Sequence, residues 1–190
     1  MPSKSLIKWN GERAAALNEI KNAHIMVGGT DRGRRNATQQ INYSYATLLS
    51  SQFQGFCRDL HSESIEHIVG IAPTQLQALM RTEFLWNRGL DRGNPHPGAI
   101  GSDFNRLGVN LWAETYTLDT RNEGRRRKLQ ELVDWRNAIA HQDFNSVAPA
   151  GNSTLHLSDV KAWRSAVNVL ARNFDRVMYN YLRSIGAQPW

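Results

Sequence analysis

Segment 129–144 reads LQELVDWRNAIAHQDF and holds the residues best suited to chemistry: Arg136, Asn137 and His141. A histidine, with an ordinary pKa of about 6.5, exchanges protons at neutral pH. It can take the proton of a ribose 2′-hydroxyl or deliver one to a leaving 5′-oxygen. An arginine is a permanent, forked donor for charge that builds on a phosphate. An asparagine beside it can orient either group. The set suits RNA cleavage and needs no metal. One histidine supplies only half of acid–base chemistry, so two copies of the chain across a twofold axis would supply both halves.

Position on a helix sharpens this. At about 100° per residue, Leu129, Leu132, Val133, Ile139 and Ala140 share one arc, and Arg136 falls in its middle. An unpaired charge on a buried face is costly. Arg136 therefore meets either a carboxylate, or an anion in a cavity or interface. Asn137 and His141 are four apart and share a face. Arg136 and His141 are five apart, roughly 140° on an ideal helix. They converge only if the helix ends near His141 or if Arg136 reaches around, and the polar Gln142 and Asp143 predict such an end. A purely structural role satisfies the same spacing: Arg136 in a salt bridge and His141 closing a helix C-terminus.

Charge points the same way as the motif. The net charge is +6, and residues 121–128 (RNEGRRRK) hold five basic residues and one acid, which is most of the excess. Arg125, Arg126, Arg127 and Lys128 lead into the motif helix, where an RNA backbone could cross them. A solvated helix start is the plain alternative.

Other chemistries fare worse. A single cysteine excludes a disulfide framework and any multi-cysteine zinc site. Cys57 and His61 are four apart, but His67 lies too far round the helix to complete a set, so neither metal nor cofactor is predicted. His96, between Pro95 and Pro97, reads as an exposed loop histidine. The glycine-rich stretch from Gly28 to Gly33 lacks the Gly-Lys-Ser/Thr of a phosphate loop. No apolar run approaches the roughly 18 residues of a membrane span, and the first residues lack the apolar core of a signal peptide. A cytoplasmic protein is predicted.

The elements that must position these residues are helices. With 190 residues, 41% of them hydrophobic, the chain can bury a core as one domain over 1–190. Its parts are an N-terminal helix and glycine-rich loop (1–35) and a core bundle (36–184). Helices are predicted over 6–26, 36–69, 73–86, 102–118 (interrupted by Gly108), 122–141 and 159–185, the last capped by Ser158. Loops fall at 87–101 and 142–157, with a short extended piece possible at 154–157. The 36–69 helix is longer than a small domain needs, which leaves surface for a partner chain. Gly55 inside it predicts close approach of another helix.

Segment 136–141 (RNAIAH) resembles the R-x4-6-H signature of HEPN domains. Segments 45–49 (YATLL) and 53–60 (FQGFCRDL) resemble the long second helix of RiboL-PSP-type HEPN proteins, although a Glu often stands there where this chain has Gln54. The resemblance covers roughly 36–184. It implies an all-α bundle with two long helices that forms a homodimer, two motifs facing a shared cleft, and metal-independent endoribonuclease activity. It further implies a toxin–antitoxin or phage-defence setting, with RNA, a second copy and a cognate antitoxin protein as partners, and no membrane. The alternative within the same fold is a catalytically silent RNA-binding or protein-interaction module.

Overall fold

A computed structural model describes residues 1–28, 35–147 and 153–190. The predicted break beyond Gly28 lies outside these residues, as does part of the 142–157 loop. In chain order the elements are α1 (Lys4–Lys8), a π-helical segment (Trp9–Arg13), α2 (Ala14–Gly28), α3 (Arg35–Gly70), α4 (Thr74–Leu85), a 3₁₀ turn (Gly89–Asp91), α5 (Pro97–Asn105), α6 (Leu111–Leu118), α7 (Asn122–His141) and α8 (Leu157–Ser184). No strand occurs among the described residues, so the all-α expectation holds. Among the described residues no helix is long and apolar enough to cross a membrane.

The spine is α3, whose 36 residues extend about 54 Å at 1.5 Å per residue. Its apolar stripe from Tyr43 to Val69 is buried. The chain's own helices, chiefly α1, α2, α7 and α8, cover that stripe. Helix α8 lies along it and buries Val160, Trp163, Val167, Leu170, Phe174, Val177, Met178 and Leu182, the stripe its spacing predicts. Tyr45, at the start of the spine, accepts a hydrogen bond from Arg164 of α8 at 2.9 Å.

The N-terminal helix is part of this core. Leu6, Trp9 and Leu17 are buried. The Trp9 ring meets Phe53 and Phe56 at 5.7 Å and donates to Asn168 at 3.1 Å. Glu63 of α3 accepts the backbone N–H groups of Lys4 and Ser5, placing a carboxylate at the positive end of α1.

Several boundaries differ from the sequence expectation, the first helix among them, since Ser3 caps it and it starts at Lys4. Helix α5 begins inside the expected 87–101 loop, because Pro97 suits a first turn and the His96 Nδ1 accepts the Gly98 N–H. His96 is exposed, as predicted, and also caps a helix. Gly108 does more than interrupt the 102–118 helix. Its φ of +90° separates α5 from α6, and an added Cβ would lie 2.6 Å from the Tyr181 hydroxyl, which donates to the Leu107 carbonyl. Helix α8 starts at Leu157, not Asp159, because the Asp159 carboxylate accepts the His156 N–H. The expected extended piece at 154–157 has side-chain partners instead of a strand. Asn42 Nδ2 donates to the Leu155 carbonyl, and Gln39 bonds both the Ser153 carbonyl and the Leu155 N–H.

Gly55 does mark a close approach, but to a guanidinium rather than to a helix backbone. Arg13 lies across α3 here, donating to Gln52 at 2.8 Å and Asp59 at 2.7 Å. A Cβ on Gly55 would clash with the Arg13 guanidinium. Gly55→Ala should therefore lower the denaturant unfolding free energy by roughly 1–3 kcal/mol. In an Arg13→Ala background the same change should cost much less. Equal costs in both backgrounds would show that Arg13 is not what the glycine accommodates.

Candidate active site

Helix α7 presents the motif. Its anchoring side chains are Leu129, Leu132 and Val133, buried against the spine and α8, with Asn122 buried at its start. Asn122 donates to the Thr115 carbonyl and accepts from Asn173 of α8, which fixes where the helix begins. At the other end Gln142 adopts the left-handed conformation (φ 55°), and the Asp143 N–H bonds back to the Ala138 carbonyl. The helix thus stops at His141, where the polar residues predicted it would.

Arg136 is half-buried on the apolar side of α7. Among the described residues no carboxylate pairs with it; the salt bridges involve other side chains. Its side-chain partner is Asn137, whose Oδ1 lies 3.4 Å from Nη1, a long contact. Asn137 Oδ1 also accepts from Asn94 Nδ2. His141 stands exposed at the helix end. The structure thus joins Arg136 to Asn137, while Asn137 turns toward Asn94 and not toward His141. The predicted arc needs one adjustment. Ala140 is exposed and Ala138, nearly opposite it, is buried, because the chain folds back after His141 and Phe144 packs beside Trp135 and Tyr43.

Asn94 carried no sequence signal. It lies 43 residues before Asn137, in the loop just before Pro95, and a buried polar network holds that loop. The Asp103 carboxylate accepts the N–H groups of Gly89 and Leu90 at 2.9 and 2.8 Å. Gln54 donates to the Leu90 carbonyl at 2.8 Å, so the amide standing where relatives often carry Glu has a structural partner here. Arg88, buried, forks onto Asp91 and donates to Ser62. His61 Nε2 faces the Asp103 carbonyl at 3.0 Å and Nδ1 faces Arg88 Nη1 at 3.4 Å. A carbonyl only accepts and a guanidinium only donates, so a neutral ring with its proton on Nε2 fits both. Its neighbour Cys57 is wholly buried in the core, where burial raises its thiol pKa. Among the described residues no group of three or more His, Cys, Asp or Glu is placed to hold a metal ion.

The basic cluster does not form one face, because consecutive helix residues point about 100° apart. Arg125 donates to Asp119 and Asn122. The guanidiniums of Arg121 and Arg125 hold the Asp119 carboxyl well below the usual carboxylate range. Arg126 lies over the Trp112 ring at 5.0 Å. Arg127 is exposed, and Lys128 lines a cleft with Glu131 and Asp134. Arg126 and Asn137 are eleven positions apart, about 20° in angle, so Arg126 stands roughly three turns before the motif on the same side of α7.

Residues 12–180 match the RiboL-PSP-HEPN family. The chain is a HEPN domain. The match begins in the π-helical segment and takes in α2, which the sequence resemblance left out. No curated protein and no solved structure gives a significant match to the chain. HEPN domains often carry ribonuclease activity and often bind RNA.

The network that holds this domain's Asn94 loop makes stability depend on pH. Burial lowers the His61 pKa to about 4, and the nearby Arg88 charge adds to this. The folded pKa lies below the unfolded value of 6.5, so the contribution is complete above pH 6.5. It is lost as pH falls toward about 4, at a slope approaching 1.4 kcal/mol per pH unit. Denaturant titrations between pH 7 and about 4 should show this fall. The His61→Asn protein should show a flatter profile, whatever its stability at neutral pH. An unchanged slope would place the titration elsewhere.

Proposed function

We propose that this HEPN domain is a metal-independent endoribonuclease. The observation that carries the reading is Arg136: a half-buried cation on an apolar helix face, without a carboxylate among the described residues and held by an asparagine. Such a guanidinium has donors left for an anion, and a phosphate meets it with matching geometry. His141, exposed at the end of the same helix, is free to exchange a proton with substrate.

In this scheme one histidine removes the proton from a ribose 2′-hydroxyl, and the oxygen attacks the adjacent phosphorus. Arg136 stabilises the negative charge that accumulates on the phosphate, and Asn137 holds the guanidinium in place with Asn94 behind it. A histidine then protonates the departing 5′-oxygen. The products are a 2′,3′-cyclic phosphate and a 5′-hydroxyl. A homodimer with both α7 motifs facing one cleft supplies both histidines. Arg126 and Arg127 hold the charge most available to RNA phosphates, since Arg125 is engaged by Asp119 and Lys128 has acids beside it. The family setting makes a toxin or phage-defence effector, controlled by an antitoxin protein, the biological role to test.

Purified protein should cut RNA in EDTA and leave cyclic phosphate ends, while Arg136→Ala and His141→Ala should each lower the rate by about 100-fold or more. Equal cutting by all three proteins would remove these residues from the mechanism. One observation favours a second reading: among the described residues His141 has no hydrogen-bond partner that orients it. If the wild type binds RNA but cuts none, the domain is a binding module. Light scattering at micromolar concentration should give the mass of a dimer, and a monomer would leave the two-histidine scheme without its second histidine.

A further inference from the structure

A cleft of about 870 Å³ opens beside the end of α7, between the start of α3 and the segment entering α8. Gln142, the residue after His141, lines it, as does Phe144. Its volume lies in the range of small-molecule sites. Five of its lining residues carry side-chain amides: Asn36, Gln39, Gln40, Asn42 and Gln142; Gln39 is held at both ends by Ser153 and Leu155, while Asn42 and Gln142 each donate once to a backbone carbonyl and keep their oxygens for a ligand. None of its described lining residues is Asp or Glu. One wall is aromatic, with the half-buried Phe144 ring stacked on Tyr43 at 5.5 Å and an interplanar angle of 21°. Asn42, 5% exposed, has an Oδ1 without a donor among the described residues.

We propose that this cleft receives a nucleobase of single-stranded RNA beside the cleaved phosphate, read by its amides and its aromatic wall. Bases splayed from single strands are recognised in this manner, by stacking on aromatic rings and by hydrogen bonds to their pairing edges. Amides supply both donors and acceptors for such edges. Charge separates this cleft from the smaller one of about 370 Å³ on another side of α7, where Glu131, Asp134 and Asp159 would repel a phosphate.

The inference rests on the ribonuclease reading, because the link to a cleaved phosphate runs through His141. Its test uses the His141→Ala protein, so that RNA stays intact, with four fluorescein-labelled pentanucleotides of A, C, G or U read by anisotropy. At least one should bind about tenfold more tightly than the weakest. Adding Gln40→Ala and Gln142→Gly should erase that preference while leaving the weakest binder unchanged. Both side chains are exposed, and glycine suits the left-handed backbone at 142, so the fold is retained; a circular dichroism melt checks this. Equal binding of the four oligomers, or a preference that survives both substitutions, overturns the subsite. A parallel cutting assay with His141 intact separates the two ideas. Cutting without base preference overturns the subsite and leaves the nuclease standing. Selective binding without cutting supports the subsite and removes the nuclease.

Discussion

Burial of one long face of α3 is the constraint on which the other elements depend. Phe53, wholly buried, shows how. Its ring meets Trp9 from the N-terminal helix, Phe56 from its own helix and Phe174 from α8, all with centroids within 6.2 Å. Aromatic side chains carry large apolar areas, so this cluster contributes strongly to the burial that opposes chain entropy. Helix α7 then lies against the spine and α8 through Leu129, Leu132 and Val133. Its direction and rotation follow from that packing, and so does the side on which Arg136 emerges.

The polar features are arranged around this apolar frame at a cost that each partner offsets. Arg13 crosses α3 only where Gly55 leaves room, and Asp59 and Gln52 take its donors. Arg88, His61 and Asp103 are buried together and satisfy one another and the backbone of the 88–91 turn. Such a network fixes a loop that has no regular structure of its own. Arg136 differs from Arg13 and Arg88, which meet carboxylates, and from Arg164, whose donors are taken by Tyr45, Asn18 and two carbonyls: its side-chain partner among the described residues is a neutral amide at long range. That contrast is what makes it a candidate for substrate charge.

Surface charge turned out to be less of a patch than its run in the sequence. Helical geometry distributes Arg125, Arg126, Arg127 and Lys128 around the axis, and Asp119 neutralises part of the run. The two clefts beside α7 also differ in charge, one bearing three carboxylates with Lys128 and the other neutral amides. An anionic strand approaching the motif therefore meets a graded field rather than a uniformly basic wall.

Local spacing marks most of the helices and the buried stripes of α3 and α8, because a period of three and four residues is a property that packing had only to accept. The sequence also marked Arg136, Asn137 and His141, and the end of α7, since residue types and a short motif are local too. The tertiary structure decided what lies far apart in the chain. Asn94 behind Asn137, Gln54 on the Leu90 carbonyl and Arg13 over Gly55 join residues separated by 36 to 43 positions, and no periodicity encodes them. The starts of α5 and α8 escape apolar spacing, because capping by His96 and Asp159 depends on side-chain geometry. The reason is the same throughout: backbone propensity and apolar period act over one or two turns, whereas which polar groups satisfy each other is set only when the whole core has closed.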